Sequence, residues 1–177
     1  LDERSPPPAV PDFGSTLCQA WEAAALHAQP LGVRVALLRI APVLAPQGGM
    51  LARLRLPFLL GLGGRLGSGT QWMPWVHQDD VVGLFDYLLR QPACQGVYNA
   101  CAPGAVRNAD FTQALARALH RPAFLPAPAW ALRLMLGEMA VLLLGSQQVQ
   151  PQRTLQAGYA FRHPELGAVL RLLMQRP

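Results

Sequence analysis

The sequence contains no lysine, because all 15 residues counted as Lys+Arg are arginines. Chemistry that needs a lysine Schiff base, a P-loop lysine or a lysine proton relay therefore cannot come from this chain. Charged residues are also scarce, at 14% of the 177 residues, which is roughly half the usual share. The net charge of +5 is spread along the chain without a basic run, so we expect no nucleic-acid partner.

Cysteine and long hydrophobic runs are equally rare. Cys18, Cys94 and Cys101 are too few and too scattered for a disulfide framework or a zinc site, and their odd number favours a reducing, cytoplasmic compartment. No His, Asp or Glu residues have the sequence spacing of metal ligands, so we expect no metal. The most apolar stretch, residues 130–144, contains two charged residues and is too short to span a bilayer. We therefore expect no membrane partner.

Helical and strand-like patterns alternate along the first two thirds of the chain. Ser15 can cap a helix that runs to about Gln29, and the β-branched segment 33–40 predicts a buried strand. Segment 96–102 is similarly apolar, and strands that are apolar on both faces are typical of parallel sheets. Between these strands the sequence predicts a loop over 41–49, a helix over 50–60, a glycine-rich loop over 61–69 and an extended segment over 71–77. A helix is predicted over 78–90, with a core face of Val81, Leu84, Phe85, Leu88 and Leu89. A further helix is predicted from Asn108, as its cap, to His120.

The composition changes after Arg121. Residues 122–130 carry three prolines, and helical patterns follow over 129–144, 151–157 and 164–174. The sequence thus predicts two units, an α/β unit over 1–121 and a mostly helical C-terminal cap over 122–177.

Several phrases, read in order, carry a family resemblance. They are WE at 21–22, VALLRIAPVLAPQGG, PFLLGLGGRLGSGTQWMPWVHQDDVV at 57–82, GVYNACAP, and the later LGE and SQ. The chain resembles the second half of an atypical or extended short-chain dehydrogenase/reductase of the NAD-dependent epimerase/dehydratase family, followed by a C-terminal domain of unknown function. The resemblance implies the second half of a Rossmann-like doubly wound parallel sheet plus the helical cap. It also implies a cofactor, NADP or NAD, and a small-molecule substrate that the sequence does not identify.

The resemblance also shows which parts of the family pattern this chain lacks. Such proteins begin with a strand, a Gly-rich turn and a helix that hold the cofactor pyrophosphate, and this sequence has no such turn. In place of the tyrosine and lysine acid–base pair it has Phe13 and Leu17. We expect a substrate-side part that needs a missing N-terminal half and does not catalyse alone. The alternative is a non-catalytic binding or interaction module. A sheet ending here leaves an open strand edge, so a homo-oligomer is a further expectation.

Two groups of candidate residues follow from the resemblance. The segment Ile40, Ala41, Pro42 and Val43 would pass the nicotinamide, although it can equally be a simple turn after a buried strand. His77 and Asp80 match the family's H-x-D-D phrase, and a histidine can donate a proton near neutral pH. The alternative is structural, with an aspartate capping the helix and bonding to His77.

A third group flanks the glycine-rich loop. Arg65, Gln71, Trp72 and Trp75 place two indoles and a guanidinium where they can bind a planar or phosphorylated substrate. In the alternative, one tryptophan belongs to the core and Arg65 is solvated.

Overall fold

The structure is a computed structural model, and it describes residues 1–8, 10 and 12–175. In chain order the elements are α1 (Phe13–Leu26), a 3₁₀ turn (Gln29–Leu31), β1 (Ala36–Ile40), β2 (Val43–Leu44), α2 (Gly49–Leu59), β3 (Trp72–Met73), β4 (Val76–His77), α3 (Gln78–Arg90), β5 (Gly96–Ala100), β6 (Val106–Arg107), α4 (Asn108–Leu119), α5 (Ala129–Leu136), a second 3₁₀ turn (Gly137–Ala140), α6 (Val141–Leu144), α7 (Gln152–Gln156) and α8 (Leu166–Gln175).

Parallel pairing organises the strands, as the sequence predicted. β1 runs parallel to β5, with Ala36 opposite Gly96 and Ile40 opposite Ala100. β2 runs parallel to β4, while β3 and β6 are antiparallel. The predicted α/β class is therefore confirmed. The prediction that 41–49 is all loop was wrong, because β2 lies within it and its pairing with β4 is a long-range contact.

Helix α1 begins with a reciprocal cap. The predicted cap, Ser15, is the third residue of the helix; Asp12 is the N-cap and its Oδ1 accepts the Ser15 N–H at 2.6 Å. The Ser15 hydroxyl accepts the Asp12 N–H in return, at 3.0 Å. All of α1 lies within the described residues and none of it is buried; Phe13 and Trp21 are 83% and 65% exposed. An apolar face this exposed has no partner within the described part of the chain.

The main core joins the middle of the chain to its end. On α8, the buried residues recur at i, i+3, i+4 and i+7, which places them on one helical face. That face packs with buried residues of β2, α2 and α4, so α8 belongs to the same core as the α/β unit. The buried members of this core are Leu44, Leu51, Phe58, Trp75, Ala102, Phe111, Leu115, Ala116, Leu166, Val169, Leu170 and Leu173.

A smaller core lies between α3 and β5. Leu84 and Leu88 of α3 are buried there, whereas Phe85 and Leu89, which were predicted to face the core, are 47% and 74% exposed. The prediction was wrong for these two because the buried face of α3 is narrow and begins at Asp80.

Asn108 was also assigned the wrong role. Arg107 is the N-cap position of α4, and Asn108 is the first helical residue. Its side-chain Oδ1 instead accepts the backbone N–H of Leu66 at 2.8 Å, so it ties the glycine-rich loop to α4.

One edge of β1 is open. Within the described residues β1 is paired with β5 alone, and Ile40 at its end is 46% exposed. A parallel strand presents alternate backbone N–H and C=O groups to each side, so this edge offers unpaired groups. No helix in the described part of the chain combines the length and apolarity that a membrane crossing needs.

Candidate functional site

A cavity of ≈ 470 Å³ lies at the carboxyl end of β1. One wall is a face of α1 on which Ser15, Cys18, Gln19 and Glu22 recur at i, i+3, i+4 and i+7. The spacing of these four polar residues could have identified the face from the sequence, where it was missed. The N-terminal segment, including Ser5 and three prolines, closes another side.

The strand-end residues expected to pass the nicotinamide are divided between two positions. Ile40, Ala41 and Pro42 lie in the cavity wall, together with Asn99 of the neighbouring β5. Val43 lies one residue further along, in β2, where it is paired with Val76. The cavity therefore sits at the carboxyl ends of two parallel strands, which is where open α/β sheets commonly bind ligands.

An ion pair forms part of the same wall. Arg39 Nε and Nη2 donate to the two carboxylate oxygens of Glu22 at 2.7 and 2.8 Å. The guanidinium of Arg39 lowers the pKa of Glu22, and the carboxylate raises the pKa of Arg39. The two charges neutralise each other, so this wall carries little net charge at neutral pH.

The residues in the expected tyrosine and lysine positions lie outside this wall. Phe13 is largely exposed to solvent, and Leu17 is partly buried elsewhere on α1. Ser15 and Cys18 of α1 line the cavity, but the Ser15 hydroxyl is held in the helix cap, where it donates to the Asp12 carbonyl at 3.0 Å. Helix α1 contains neither tyrosine nor lysine, so it cannot carry a tyrosine–lysine pair.

His77 and Asp80 lie away from the cavity, at the start of α3. His77 is 4% exposed, and its Nδ1 accepts the backbone N–H of Asp79 at 3.1 Å. Asp80 is 1% exposed, and its two carboxylate oxygens accept the N–H groups of Arg162 and His163 at 2.6 and 3.0 Å. His77 thus caps α3, and Asp80 binds the backbone of residues 162–163. We call the two hydrogen bonds from Arg162 and His163 to Asp80 the clasp.

The buried tyrosine beside Asp80 supports the same clasp. The Tyr159 hydroxyl donates to the backbone carbonyl of Asp80 at 3.0 Å. Burial raises the pKa of Tyr159 to about 12, with a contribution from the Asp80 charge. Its hydroxyl therefore stays protonated as a donor at neutral pH.

The four substrate candidates near the glycine-rich loop occupy different surroundings. Arg65 is exposed and lines a separate cavity of ≈ 280 Å³ with Thr112 and Phe124. The buried Gln71 donates from Nε2 to the carbonyls of Leu66 and Leu143 at 2.9 and 3.2 Å. The structure thus separates Arg65 from the cavity at β1.

The two indoles also differ. Trp72 is partly exposed, and the Arg107 guanidinium lies 3.7 Å from its ring centroid. Trp75 is 1% exposed and donates its indole N–H to the carbonyl of Gly104 at 3.0 Å. Trp75 is thus a core residue in this structure, and Trp72 keeps surface that a ligand can reach.

Comparison with known proteins decides the family. A family model described as "NAD dependent epimerase/dehydratase family" matches residues 3–101, which is more than half of the chain. The chain belongs to the NAD dependent epimerase/dehydratase family. A second model, "Domain of unknown function (DUF1731)", matches residues 127–173 of this family member. Both parts of the resemblance drawn from the sequence are confirmed.

Individual relatives agree with this family membership. The mouse "Epimerase family protein SDR39U1" is 45% identical over 161 residues, which are 90% of this chain and 55% of that protein. The crystal structure of the human SDR39U1 protein (isoform 2), solved with NADPH, superimposes with a TM-score of 0.92 at 39% identity, over 100% of this chain and 60% of that one. A nucleoside-diphosphate sugar epimerase from Corynebacterium glutamicum gives 0.77 at 29% identity, over 98% of this chain and 33% of that one.

These matches confirm the Rossmann-like α/β fold. The chain spans about half the length of the curated relatives it matches.

Proposed function

We propose that this chain is the C-terminal, substrate-side part of an NADP(H)- or NAD(H)-binding oxidoreductase of the epimerase family. In this proposal, the cavity at the end of β1 receives the nicotinamide end of the cofactor and a small-molecule substrate. The observation that carries it is the position of Ile40, Ala41 and Pro42 in the cavity wall at the carboxyl end of a parallel strand. The NADPH in the human relative supports the choice of cofactor.

The phosphates of the cofactor would be held outside this chain. The sequence has no Gly-rich turn between a strand and a helix, which is the element that binds pyrophosphate in this fold. We propose that an N-terminal half supplies it. The open edge of β1 and the exposed apolar side chains of α1, among them Trp21, are the surfaces on which that half would pack. Without it, the same surfaces favour association between copies of the chain.

The chemistry offered to a substrate comes from few groups. Ser15 and Cys18 line the cavity, although the Ser15 hydroxyl is engaged in the cap of α1, and the Glu22–Arg39 pair forms one wall. Arg65 and Trp72 keep accessible surface outside this cavity, so in this proposal they contact only a substrate that extends beyond it. We assign His77 to the cap of α3 and Asp80 to the clasp, because both side chains are buried in those positions. We expect the protein in a reducing cytoplasm, because its three cysteines, at 18, 94 and 101, are few and odd in number.

A second candidate function is a non-catalytic binding or interaction module. The observation in its favour is that α1 carries neither a tyrosine nor a lysine toward the cavity. Such a module would bind the cofactor or a partner without turnover. NADPH consumption by the completed protein, followed across a panel of sugar-nucleotide and carbonyl substrates, separates the two: turnover with any of them supports the enzyme, and binding without turnover supports the module.

The experiment for the cavity uses a completed protein, in which this chain is fused after the part of the human relative that it does not cover. Enhancement of NADPH fluorescence measures binding, with the intact human relative as the reference. Ala41→Leu inserts bulk at the cavity wall, and we expect it to weaken NADPH binding roughly tenfold or more. Ala52→Leu places the same bulk on the exposed side of α2 and is the matched control. Equal binding by both variants would refute the cavity as the nicotinamide site.

A further inference from the structure

A second cluster of ionisable side chains lies outside this cavity, where the start of α3 meets residues 162–163. Asp79 Oδ2 is 3.8 Å from His77 Nδ1 and 3.6 Å from His163 Nε2. The planes of the two imidazole rings are tilted by 44° to each other, with centroids 3.9 Å apart. One nitrogen or oxygen atom from each of the three residues can be chosen so that all lie within 4.8 Å of one another.

The fold holds these three side chains in place through buried neighbours. His77 and Asp79 are two residues apart at the junction of β4 and α3. His163 is brought to them by the Asp80 carboxylate, which accepts the backbone N–H groups of Arg162 and His163. The Tyr159 hydroxyl also donates to the Asp80 carbonyl. Outer contacts of this kind orient the ligands of protein metal sites.

We propose that His77, Asp79 and His163 bind one divalent transition-metal ion of the Zn²⁺ type. Two imidazoles and one carboxylate are a ligand set that such ions accept, with the remaining positions taken by water. The Asp79 side chain is 55% exposed and that of His163 is 25% exposed, so an ion can enter from solvent. The site is independent of the cavity at β1 and of the proposed oxidoreductase function.

A local hydrogen bond must yield to the ion, and the field of α3 must be offset. A metal bound through His77 Nδ1 replaces the hydrogen bond from the Asp79 N–H. That N–H belongs to the first turn of α3, where backbone donors are commonly satisfied by water. The positive end of the helix dipole opposes a cation, but Asp79 and Asp80 in the same turn offset it.

Binding would have a structural consequence. His77 and Asp79 belong to the part matched by the epimerase family, while His163 belongs to the part matched as the domain of unknown function. An ion shared by the three cross-links these parts. Because an ion that binds only the folded state stabilises it, Zn²⁺ should raise the Tm of the chain.

The experiment begins with the purified chain after treatment with a chelator and desalting. Calorimetric titration with ZnCl₂ should give one ion per chain, and Co²⁺ should give the visible absorption of a low-coordinate nitrogen and oxygen site. Asp79→Asn and His163→Gln should each weaken Zn²⁺ binding roughly tenfold or more and abolish the rise in Tm. His27→Gln, an exposed histidine at the end of α1, should leave binding unchanged.

Three results would overturn the proposal. They are a stoichiometry well below one ion, equal Zn²⁺ affinity in the two ligand variants and the His27 control, or a Co²⁺ spectrum identical to that of the hydrated ion. Circular dichroism of each variant establishes that it is folded before titration. Should a variant unfold, the Co²⁺ spectrum of the unmodified chain still decides.

Discussion

The carboxylate of Asp80 accepts the backbone N–H of His163 at 3.0 Å, although Asp80 lies in the part matched by the epimerase family model and His163 in the part matched as the domain of unknown function. The other carboxylate oxygen accepts the Arg162 N–H. A buried carboxylate that bonds to two backbone N–H groups is well compensated for its loss of water. This contact fixes the C-terminal segment against the first turn of α3.

Replacing Asp80 should therefore destabilise the whole chain. In Asp80→Asn, one of the two N–H groups faces an amide donor instead of an oxygen, so we expect a loss of about 2–4 kcal/mol in the free energy of unfolding. Urea denaturation followed by circular dichroism measures it. Asp86→Asn, which removes only an exposed pair with Arg90 at 2.8 Å, should leave the free energy of unfolding nearly unchanged. Similar losses in the two variants would contradict the clasp.

The packing of α8 into the main core gives a second prediction. Leu170 is 0% exposed and packs in the same core as Leu115 of α4. Leu170→Ala should cost about 2–5 kcal/mol, because it leaves a cavity in that core. Leu89→Ala, at a position 74% exposed on α3, should stay within about 0.5 kcal/mol. A large loss in the free energy of unfolding of Leu89→Ala would contradict the exposed position of Leu89 and support the core face first expected for α3.

The strongly periodic elements were predictable from the sequence. α3 runs from Gln78 to Arg90 as expected, since its apolar spacing and its first-turn carboxylates both indicate a helix. A parallel sheet was expected because segments 33–40 and 96–102 are apolar on both faces, but the direct pairing of β1 with β5 was not predicted. The prediction that the strand in 33–40 is buried was wrong, because β1 is partly buried at its start and exposed at its end. Ile40, Ala41 and Pro42, chosen by family resemblance, do lie in a cavity wall, although their role in binding stays a prediction.

The contacts between distant residues were not predictable. β2 and β4 are two residues each and exist because they pair with each other, which no local pattern encodes. His163 meets His77 only through the clasp at Asp80, so the ligand spacing cannot be seen along the sequence. Trp75 and Trp72 have the same local signal, yet tertiary packing buries the first and leaves the second partly exposed.

Thiol reactivity should distinguish the cysteine in the cavity wall from the other two. Cys18 is exposed, whereas Cys94 and Cys101 are 5% and 1% exposed. Burial raises the pKa of Cys101 to about 12, so its reactive thiolate is scarce at neutral pH. We expect iodoacetamide to modify Cys18 first in the native chain and all three in urea, as mapped by mass spectrometry of peptides. Modification of Cys101 as fast as Cys18 would contradict this part of the structure.

The ion pair in the cavity wall predicts a pH dependence of stability. Arg39 holds the pKa of Glu22 below its ordinary value of 4.5. A lowered folded-state pKa contributes stability above the ordinary value, and the contribution is lost as the pH falls through the folded-state value. The free energy of unfolding of the native chain should therefore exceed that of Glu22→Gln at pH 7, and the difference should shrink as the pH falls below about 4.5.

Because the side chains of Arg39 and Glu22 are 42% and 25% exposed, the difference should be no more than about 1 kcal/mol and should decrease with added salt. A double-mutant cycle with Arg39→Gln isolates the coupling between the two side chains. A difference that grows on acidification would have the wrong sign for this ion pair.

The most direct measurement compares NADPH binding by this chain alone and by the completed protein. Both are titrated under the same conditions while nicotinamide fluorescence is followed. We predict micromolar binding by the completed protein and at least about tenfold weaker binding by the chain alone, because the chain has the strand-end cavity but no Gly-rich turn for the phosphates. Micromolar binding by the chain alone, or none by the completed protein while the intact human relative binds, would contradict the division of the cofactor site between two halves.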